Sequence, residues 1–212
     1  MKLFVRIPTA DTIDRDLSRW LIWLAREQPE ADIDILQSNL GTAEARNIIC
    51  ELFLESKATH LWMLDSDVIP PYSLHLLEGG EDYGFVNGLY QHLTPAGLMW
   101  DAWERVRKIQ VGTPRFRPWP EPYPAARYFQ VDAVGGGCML IRRDVIEGLA
   151  EQNIPWFETT FPEGSRQRPM GEDFNFCQRL WVEKVPVMVD QHYHCGHTKA
   201  VDYRLFEKWI RR

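Results

Sequence analysis

Several features are missing from this sequence, and each absence excludes a class of protein. No apolar stretch approaches the roughly 20 residues that a helix needs to cross a bilayer. The first residues are too interrupted in their hydrophobicity to form a secretory signal peptide. The cysteines show no CxxC spacing, which argues against a zinc site and disulfides and predicts buried free thiols; they are Cys50, Cys138, Cys177 and Cys195. We therefore expect a soluble, cytoplasmic protein without membrane attachment.

Glycine-rich phosphate-binding loops and excess positive charge are also missing. The run Gly135-Gly136-Gly137 lacks the Lys and Ser/Thr of a P-loop, and a spaced GxGxxG is absent. The formal net charge is −6, whereas a general nucleic-acid-binding protein needs a basic surface to neutralise phosphates. These absences argue against a P-loop nucleotidase and against a general nucleic-acid-binding protein.

The composition is that of an ordinary globular protein. Of the 212 residues, 45% are apolar and 25% are charged, which is enough to bury a core within one domain. We assign residues 1–212 to a single domain with a first part over about 1–93 and a last part over 128–212. Between them, residues 94–127 are rich in Pro and Trp, so we expect an irregular surface excursion outside the central sheet.

Strand patterns and helix patterns alternate along the first part of the chain. Leu3 to Ile7 reads as a buried strand that Pro8 stops, and the apolar residues after it recur at helical spacing. A second strand with Ile33 and Ile35, a second helix and a strand that ends at Asp65 follow. This β-α-β-α-β order predicts an α/β fold with a mainly parallel sheet covered by helices on both faces.

Two acids follow the apolar run Leu61-Trp62-Met63-Leu64. Asp65 and Asp67 are separated by one residue, so their side chains point to the same side of an extended chain. Open α/β sheets bind ligands at the carboxyl ends of their strands, and paired carboxylates suit a hard divalent cation that also binds phosphate. An acidic surface turn is the alternative interpretation of this pair.

A second acidic pair, Glu172-Asp173, opens an amphipathic helix that runs to Trp181. Acids in the first turn are stabilised by the helix dipole, so a purely structural role is the alternative. Asp173 would also be held rigidly there, with an ionised side chain directed into a cleft. A general base that removes a proton from a hydroxyl group needs that arrangement.

Three histidines lie near the C-terminal end, after a short strand predicted over Pro186 to Val189. They are His192, His194 and His197. Because neutral imidazole is a common metal ligand, the cluster indicates that at least one of them binds a metal. The pattern does not say which one.

Taken in order, these motifs resemble those of GT-A-fold glycosyltransferases and are similar to the family 2 group. The motifs are Asp65-Ser66-Asp67, Gly135-Gly136-Gly137-Cys138-Met139-Leu140-Ile141-Arg142-Arg143, Gly171-Glu172-Asp173 and Cys195-Gly196-His197. Each motif alone is loose, but their order is fairly specific and spans nearly the whole chain. The resemblance implies a single Rossmann-like GT-A domain with a mixed, mostly parallel central sheet flanked by helices.

The resemblance also implies transfer of a sugar from a nucleotide-sugar donor with Mn²⁺ or Mg²⁺. Asp67 and His197 would ligate the metal, and Asp65 would contact the donor ribose or the metal shell. The residues that would bind the donor are Pro8, Thr9, Arg46, Asp65, Ser66 and Asp67, with Pro8 and Thr9 along the nucleobase. For Arg46 the alternative is a solvated helix face.

The identity of the nucleobase stays open in this comparison. Family 2 enzymes usually recognise the base through an Asp after the second strand, where this chain offers Gln37 or Asn39 instead. A UDP-sugar is favoured as the donor and a GDP-sugar is possible. The part of the chain over about 1–93 would bind this donor.

On the acceptor side, the resemblance assigns Asp173 as the catalytic base and Glu172 as a support for acceptor binding. Gly136, Gly137 and Trp156 are placed on the same side, within the part over 128–212. The hydroxyl-bearing acceptor is unknown, and the Trp-rich excursion is where we expect its site. The arginines of that excursion leave a nucleic-acid acceptor open, although the negative net charge disfavours it.

An acid on the face of the sugar opposite the leaving diphosphate predicts a single displacement with inversion at the anomeric carbon. Three alternatives remain: a retaining GT-A transferase, a nucleotidyltransferase, and an inactive nucleotide- or sugar-binding module. Nucleotidyltransferases usually carry a Gly-rich basic loop after the first strand, and the segment Pro8-Thr9-Ala10-Asp11 has neither glycine nor lysine.

Overall fold

A computed structural model describes residues 1–94, 97–106, 114–120, 123–161 and 169–198. The strands in these ranges are β1 (Leu3–Thr9), β2 (Asp32–Gln37), β3 (His60–Leu64), β4 (Val68–Ile69), β5 (Phe85–Thr94), β6 (Gly97–Trp100), β7 (Ala102–Arg105), β8 (Phe116–Pro118), β9 (Tyr128–Val131), β10 (Ala133–Val134), β11 (Cys138–Arg142) and β12 (Val187–His197). The helices are α1 (Arg15–Glu27), α2 (Thr42–Glu55), α3 (His75–Asp82), α4 (Arg143–Ala150) and α5 (Glu172–Val182).

The main sheet has the strand order β2-β1-β3-β11-β5-β12-β4, with β6 paired to β5 and β9 paired to β12. β1 is parallel to β2 and β3, and β5 is parallel to β12. β11 lies antiparallel between β3 and β5, so β1, β2, β3, β5 and β12 all run in one direction. The predicted α/β fold with a mixed, mostly parallel sheet is therefore confirmed. A small second sheet has the order β10-β7-β8.

Helices cover both faces of the main sheet, because successive residues of a strand point to opposite sides. Leu61 and Met63 of β3 pack with buried residues of α2, α4 and α5, whereas Trp62 and Leu64 pack with those of α1 and α3. Every residue of β3 is buried. Burial on both faces explains why the sequence of this strand is continuously apolar rather than alternating.

The start of α1 is tied to the turn that follows β3. The Asp14 carboxylate caps α1 by accepting hydrogen bonds from the backbone N–H groups of Asp16 and Leu17, an arrangement that satisfies otherwise unpaired donors. The Asp14 N–H donates to the Ser66 carbonyl over 2.9 Å. Deeper in the core, Trp20 of α1 meets Trp62 edge-on, and burying a side chain of this size stabilises the fold by about 1.5–3 kcal/mol.

The prediction that Pro8 stops the first strand is wrong. β1 continues to Thr9, and Pro8 pairs with Leu36 of β2. At that level β1 has lost its β3 neighbour, since the β1–β3 register ends at Arg6 opposite Met63. Proline is tolerated at such an edge because no ladder partner there requires its missing N–H.

The last strand and the excursion also differ from the prediction. β12 is 11 residues long and contains all three histidines instead of ending before them. In the excursion, β6 pairs with β5 of the main sheet, and β7 and β8 join the small sheet, so this region is not wholly irregular. Of its prolines, Pro95 and Pro122 lie outside the described residues.

All four cysteines are buried and free, as predicted. Within the described ranges, no helix is both long enough and apolar enough to span a membrane.

Candidate active site

The first acidic motif lies at the carboxyl end of β3, where the sequence predicts it. The Asp65 N–H donates to the Gly137 carbonyl over 3.0 Å, and the Val68 N–H donates to the Asp65 carbonyl over 3.1 Å. These bonds close a turn that carries Asp65, Ser66 and Asp67 from β3 into β4. The turn presents both carboxylates at the edge where open α/β sheets bind their ligands.

Arg46 joins this turn to the second acidic motif. Its guanidinium donates to Asp65 Oδ1 over 2.7 Å and to Glu172 Oε1 over 3.1 Å, and its side chain is only 2% exposed. The solvated helix face considered for Arg46 is therefore wrong. Burial alone would lower the pKa of Arg46, but the Asp65, Asp173 and Glu172 carboxylates outweigh it and raise that pKa. The guanidinium thus stays charged between acids from distant parts of the chain.

Asp173 lies in the first turn of α5, whose N-cap residue is Gly171. The Phe174 N–H donates to Asp173 Oδ1 over 2.8 Å. Burial raises the pKa of Asp173 to about 7; the Arg46 guanidinium opposes this shift, while the Glu172 and Asp101 carboxylates add to it. A carboxyl group with a pKa near neutrality is suited to general acid–base chemistry.

Asp67, at the end of the turn before β4, lies next to His197 of β12. His197 pairs with Val68 of β4, and His197 Nε2 lies 3.4 Å from Asp67 Oδ2. The Nδ1 atom of His197 lies 2.9 Å from the Gln91 carbonyl oxygen, which fixes the hydrogen on Nδ1 and turns Nε2 towards Asp67. Metal-binding histidines are commonly oriented by such a carbonyl. A nitrogen and an oxygen at this separation can share one divalent ion, so the pair fits the predicted metal.

The other two histidines do not join this pair. His192 and His194 are exposed, and the ring of His194 contacts Trp100 with centroids 4.8 Å apart. Since His194 and His197 are three residues apart along β12, their side chains point to opposite faces of the strand. Among the three histidines, the geometry therefore favours His197 as the metal ligand.

Asp65 is turned towards Arg46 rather than towards the Asp67–His197 pair. In the described part of the chain, no group of three or more His, Cys, Asp or Glu residues is arranged to hold a metal ion. Asp67 and His197 thus form a two-residue set, and the role of Asp65 in the metal shell stays a prediction. A bound ion would take its remaining ligands from phosphate oxygens and water, as Mg²⁺ commonly does.

The glycine run is shaped by three neighbouring side chains. A Cβ atom on Gly135 would overlap Asp101 and the Tyr90 hydroxyl, and one on Gly136 would overlap the Arg46 guanidinium. A Cβ atom on Gly137 would lie 2.7 Å from the Tyr90 ring. The acceptor-side role predicted for Gly136 and Gly137 stays a prediction, because protein side chains already explain why these residues are small.

Asp101, Tyr90 and Phe157 also lie at this site, and no sequence motif pointed to them. Phe157 lies beneath Arg46, with the guanidinium carbon 5.6 Å from its ring centroid, and its backbone N–H donates to Asn47 Oδ1 over 2.9 Å. No spacing signal marks these residues, because they come from separate segments. The predicted acceptor-side residue Trp156 donates its indole N–H to the Ile146 carbonyl of α4 over 3.0 Å.

Two cavities adjoin the acids. The first has a volume of about 220 Å³ and is lined by Pro8, Thr9, Ala10, Ser38, Leu40, Thr42, Ala45, Asp65, Ser66 and Asp67. The second has a volume of about 570 Å³ and is lined by Gly41, Thr42, Ala43, Glu44, Asn47, Pro155, Phe157, Glu158, Thr159 and Glu172. Both share Thr42 at the start of α2. The first cavity gathers five of the six residues predicted to bind the donor, and it includes Ser38 rather than Gln37 or Asn39.

The strand order and the flanking helices define an α/β fold of the GT-A type. Among solved structures, the chain is similar to A197 from STIV, with a TM-score of 0.62 and 18% sequence identity over 94% of this chain and 87% of that one. It is also similar to GalNAc-T7, solved with UDP, GalNAc and Mn²⁺, with a TM-score of 0.55 and 11% identity. That match covers 95% of this chain but 43% of GalNAc-T7, so the chain spans less than half of that structure.

No protein-family model matches the chain, and no curated protein matches its sequence. At such low identities, the structural likenesses show the fold alone. The predicted place in family 2 therefore stays a prediction, and the chemistry must be argued from the site itself.

Proposed function

We propose that this protein is a glycosyltransferase that moves a sugar from a nucleoside-diphosphate sugar to a hydroxyl group of an acceptor. The observation that carries the proposal is the position of Arg46 between the two cavities. Its guanidinium binds Asp65, which borders the first cavity, and Glu172, which borders the second. A transferase needs two such adjoining spaces, because donor and acceptor must meet at one reacting atom.

In this proposal the first cavity binds the donor. Pro8 and Thr9 line the nucleobase and ribose end, and the Asp65–Asp67 turn faces the diphosphate. Asp67 and His197 would hold Mn²⁺ or Mg²⁺, which when bound stabilises negative charge on the leaving diphosphate. GalNAc-T7 was solved with UDP and Mn²⁺, and we extend that type of donor to this chain, with a UDP-sugar favoured over a GDP-sugar.

Asp173 acts as the base. Its carboxylate accepts the proton of the acceptor hydroxyl while that oxygen forms a bond to the anomeric carbon and the bond to the diphosphate breaks. Attack from the side opposite the leaving group inverts the anomeric configuration, as in other single displacements at sugars. Proton NMR of the product's anomeric centre distinguishes this outcome from retention.

Ligand-dependent stability tests the proposal without knowledge of the acceptor. Melting of the full chain is measured with UDP, GDP and CDP and with the corresponding nucleoside triphosphates, each with and without Mn²⁺. At 100 times its Kd a ligand stabilises the folded state by about 2.7 kcal/mol. We expect Mn²⁺-dependent stabilisation by UDP. In a separate assay without acceptor, we expect slow hydrolysis of a UDP-sugar. Stabilisation by nucleoside triphosphates alone would instead favour nucleotidyl transfer, and no stabilisation by any nucleotide would overturn the proposal.

A further inference from the structure

Asp101 is a buried acid that lies at the corner between β6 and β7. It is 4% exposed, and a buried carboxylate is costly unless hydrogen bonds satisfy it. Its Oδ1 atom accepts a hydrogen bond from Trp103 Nε1 over 2.6 Å. The Tyr90 hydroxyl lies beside the same carboxylate, on the other side of the space left by Gly135. Burial together with the Asp101 charge raises the pKa of Tyr90, so the phenol keeps its proton.

Through Trp103, Asp101 is connected to the first turn of α5. The indole packs edge-on against Phe174, with ring centroids 5.5 Å apart. The backbone N–H of Phe174 holds Asp173 Oδ1 over 2.8 Å. A rotation of the Trp103 ring would therefore displace the residue that orients the Asp173 carboxylate.

Through Tyr90, the same acid is connected to the turn after β3. The Tyr90 hydroxyl accepts a bond from the Gly137 N–H over 3.2 Å, and the Gly137 carbonyl accepts one from the Asp65 N–H over 3.0 Å. The Tyr90 ring also packs edge-on against His197, with centroids 5.1 Å apart. Both ends of the candidate active site thus contact side chains that Asp101 holds.

We propose that Asp101 is a positioning residue of this site, which holds Trp103 and Tyr90 at once and so fixes Asp173 relative to the Asp65–Asp67 turn. The inference rests on the proposed function for its kinetic consequence. A carboxylate suits this place because one oxygen accepts from the indole N–H and the other can accept from the phenol O–H. The amide of an asparagine has only one acceptor oxygen, so its NH₂ group would face either the indole N–H or the phenol O–H.

The test compares Asp101→Asn with the matched control Glu104→Gln. Glu104 lies on β7 next to Trp103, forms an exposed ion pair with Arg117, and directs its side chain to the opposite face of the strand. We expect Asp101→Asn to lower kcat of sugar transfer about 10- to 100-fold, since small misplacements of a reacting group cost that much. The donor KM should change much less than kcat, because no residue that lines the donor cavity is replaced.

A second measurement does not depend on activity. In ¹H–¹⁵N NMR spectra, Asp101→Asn should move both the Trp103 indole signal and the Phe174 backbone amide signal, whereas Glu104→Gln should move neither. If Asp101→Asn does not fold, Trp103→Phe replaces it, since that variant keeps the ring contact but removes the indole donor. A Phe174 signal unchanged from wild type, or full kcat in folded Asp101→Asn, would overturn the inference. Failure of the proposed function would look different, because the wild-type protein would then bind no nucleoside diphosphate.

Discussion

Two acids of one motif, Asp65 and Asp67, have different surroundings although they are separated by a single residue. Asp65 belongs to an anchored cluster with Arg46 and Glu172, in which one buried guanidinium binds both carboxylates. Asp67 faces the imidazole of His197 instead, although the two carboxylates are about equally exposed, at 37% for Asp67 and 32% for Asp65. The comparison shows that neighbouring acids can have different roles. The acids that accept a hydrogen bond from the buried Arg46 guanidinium hold the site together, and Asp67 faces the place where a ligand would bind.

Arg46 acts on Asp173 through its charge, whereas it hydrogen-bonds to Asp65 and Glu172. We therefore group Asp173 with Asp67 and His197 and call these three residues the cleft groups. The largest expected effect comes from removing the base among them. Asp173→Asn keeps the shape of the side chain but cannot accept a proton, so transfer should fall by about 10²–10⁴-fold. Donor binding, measured by calorimetry with UDP and Mn²⁺, should survive.

Asp144→Asn is the control, since Asp144 forms a surface ion pair with Arg142. Wild-type turnover in Asp173→Asn would remove Asp173 as the base.

Replacing Arg46 in the anchored cluster should lower the free energy of unfolding as well as the activity. Arg46→Met leaves two carboxylates without their buried cation, and breaking a buried ion pair in this way costs about 3–5 kcal/mol of unfolding free energy. Urea denaturation followed by circular dichroism measures the loss. Arg19→Met provides the control, because the Arg19–Asp16 pair is exposed and such pairs contribute roughly 0–1 kcal/mol. Equal losses in the two variants would contradict the division drawn above.

Replacing a residue of the Asp67–His197 pair should change ligand binding only when a metal is present. In the presence of UDP, His197→Ala should lower the apparent affinity for Mn²⁺ by at least about 10-fold, because even residues that only support metal ligands have effects of that size. The stabilisation by UDP and Mn²⁺ should weaken accordingly. His192→Ala and His194→Ala, which alter exposed side chains of the same strand, should leave it unchanged. Titration of Mn²⁺ by calorimetry in the presence of UDP measures each variant. A loss confined to His194→Ala would move the metal to the other face of β12.

The order of strands and helices and the position of the first acidic motif could be predicted from local sequence patterns. The alternation of strands and helices follows from hydrophobic periodicity, and the position of Asp65 and Asp67 follows from the buried strand before them. The same reasoning predicted a short last strand, because it had no means of detecting that β12 passes a bulge between Asp190 and His194 and then pairs again with β5.

The partners of Arg46 and Asp101 could not be predicted in this way. Arg46 lies on α2 and meets a residue of α5 that is far away in sequence, so only the packing of both helices on one sheet face brings them together. Asp101 lies in the Pro- and Trp-rich excursion, which we expected to be irregular. Its burial depends on the small sheet and on the space left by Gly135, and neither has a local sequence signal.

The smallest expected effect concerns stability as a function of pH. Burial raises the pKa of Asp173 from 3.8 to about 7, so between these values the folded state holds a proton that the unfolded chain has lost. Stability should therefore fall as pH rises through this window, and Asp173→Asn should remove the penalty. We expect the variant and the wild type to be equally stable below about pH 4 and the variant to be more stable by about 1–2 kcal/mol above pH 7, because solvent reaches part of this side chain. Urea denaturation at several pH values checks this, and a stability difference that does not change with pH would show that Asp173 has the same pKa in the folded and unfolded states.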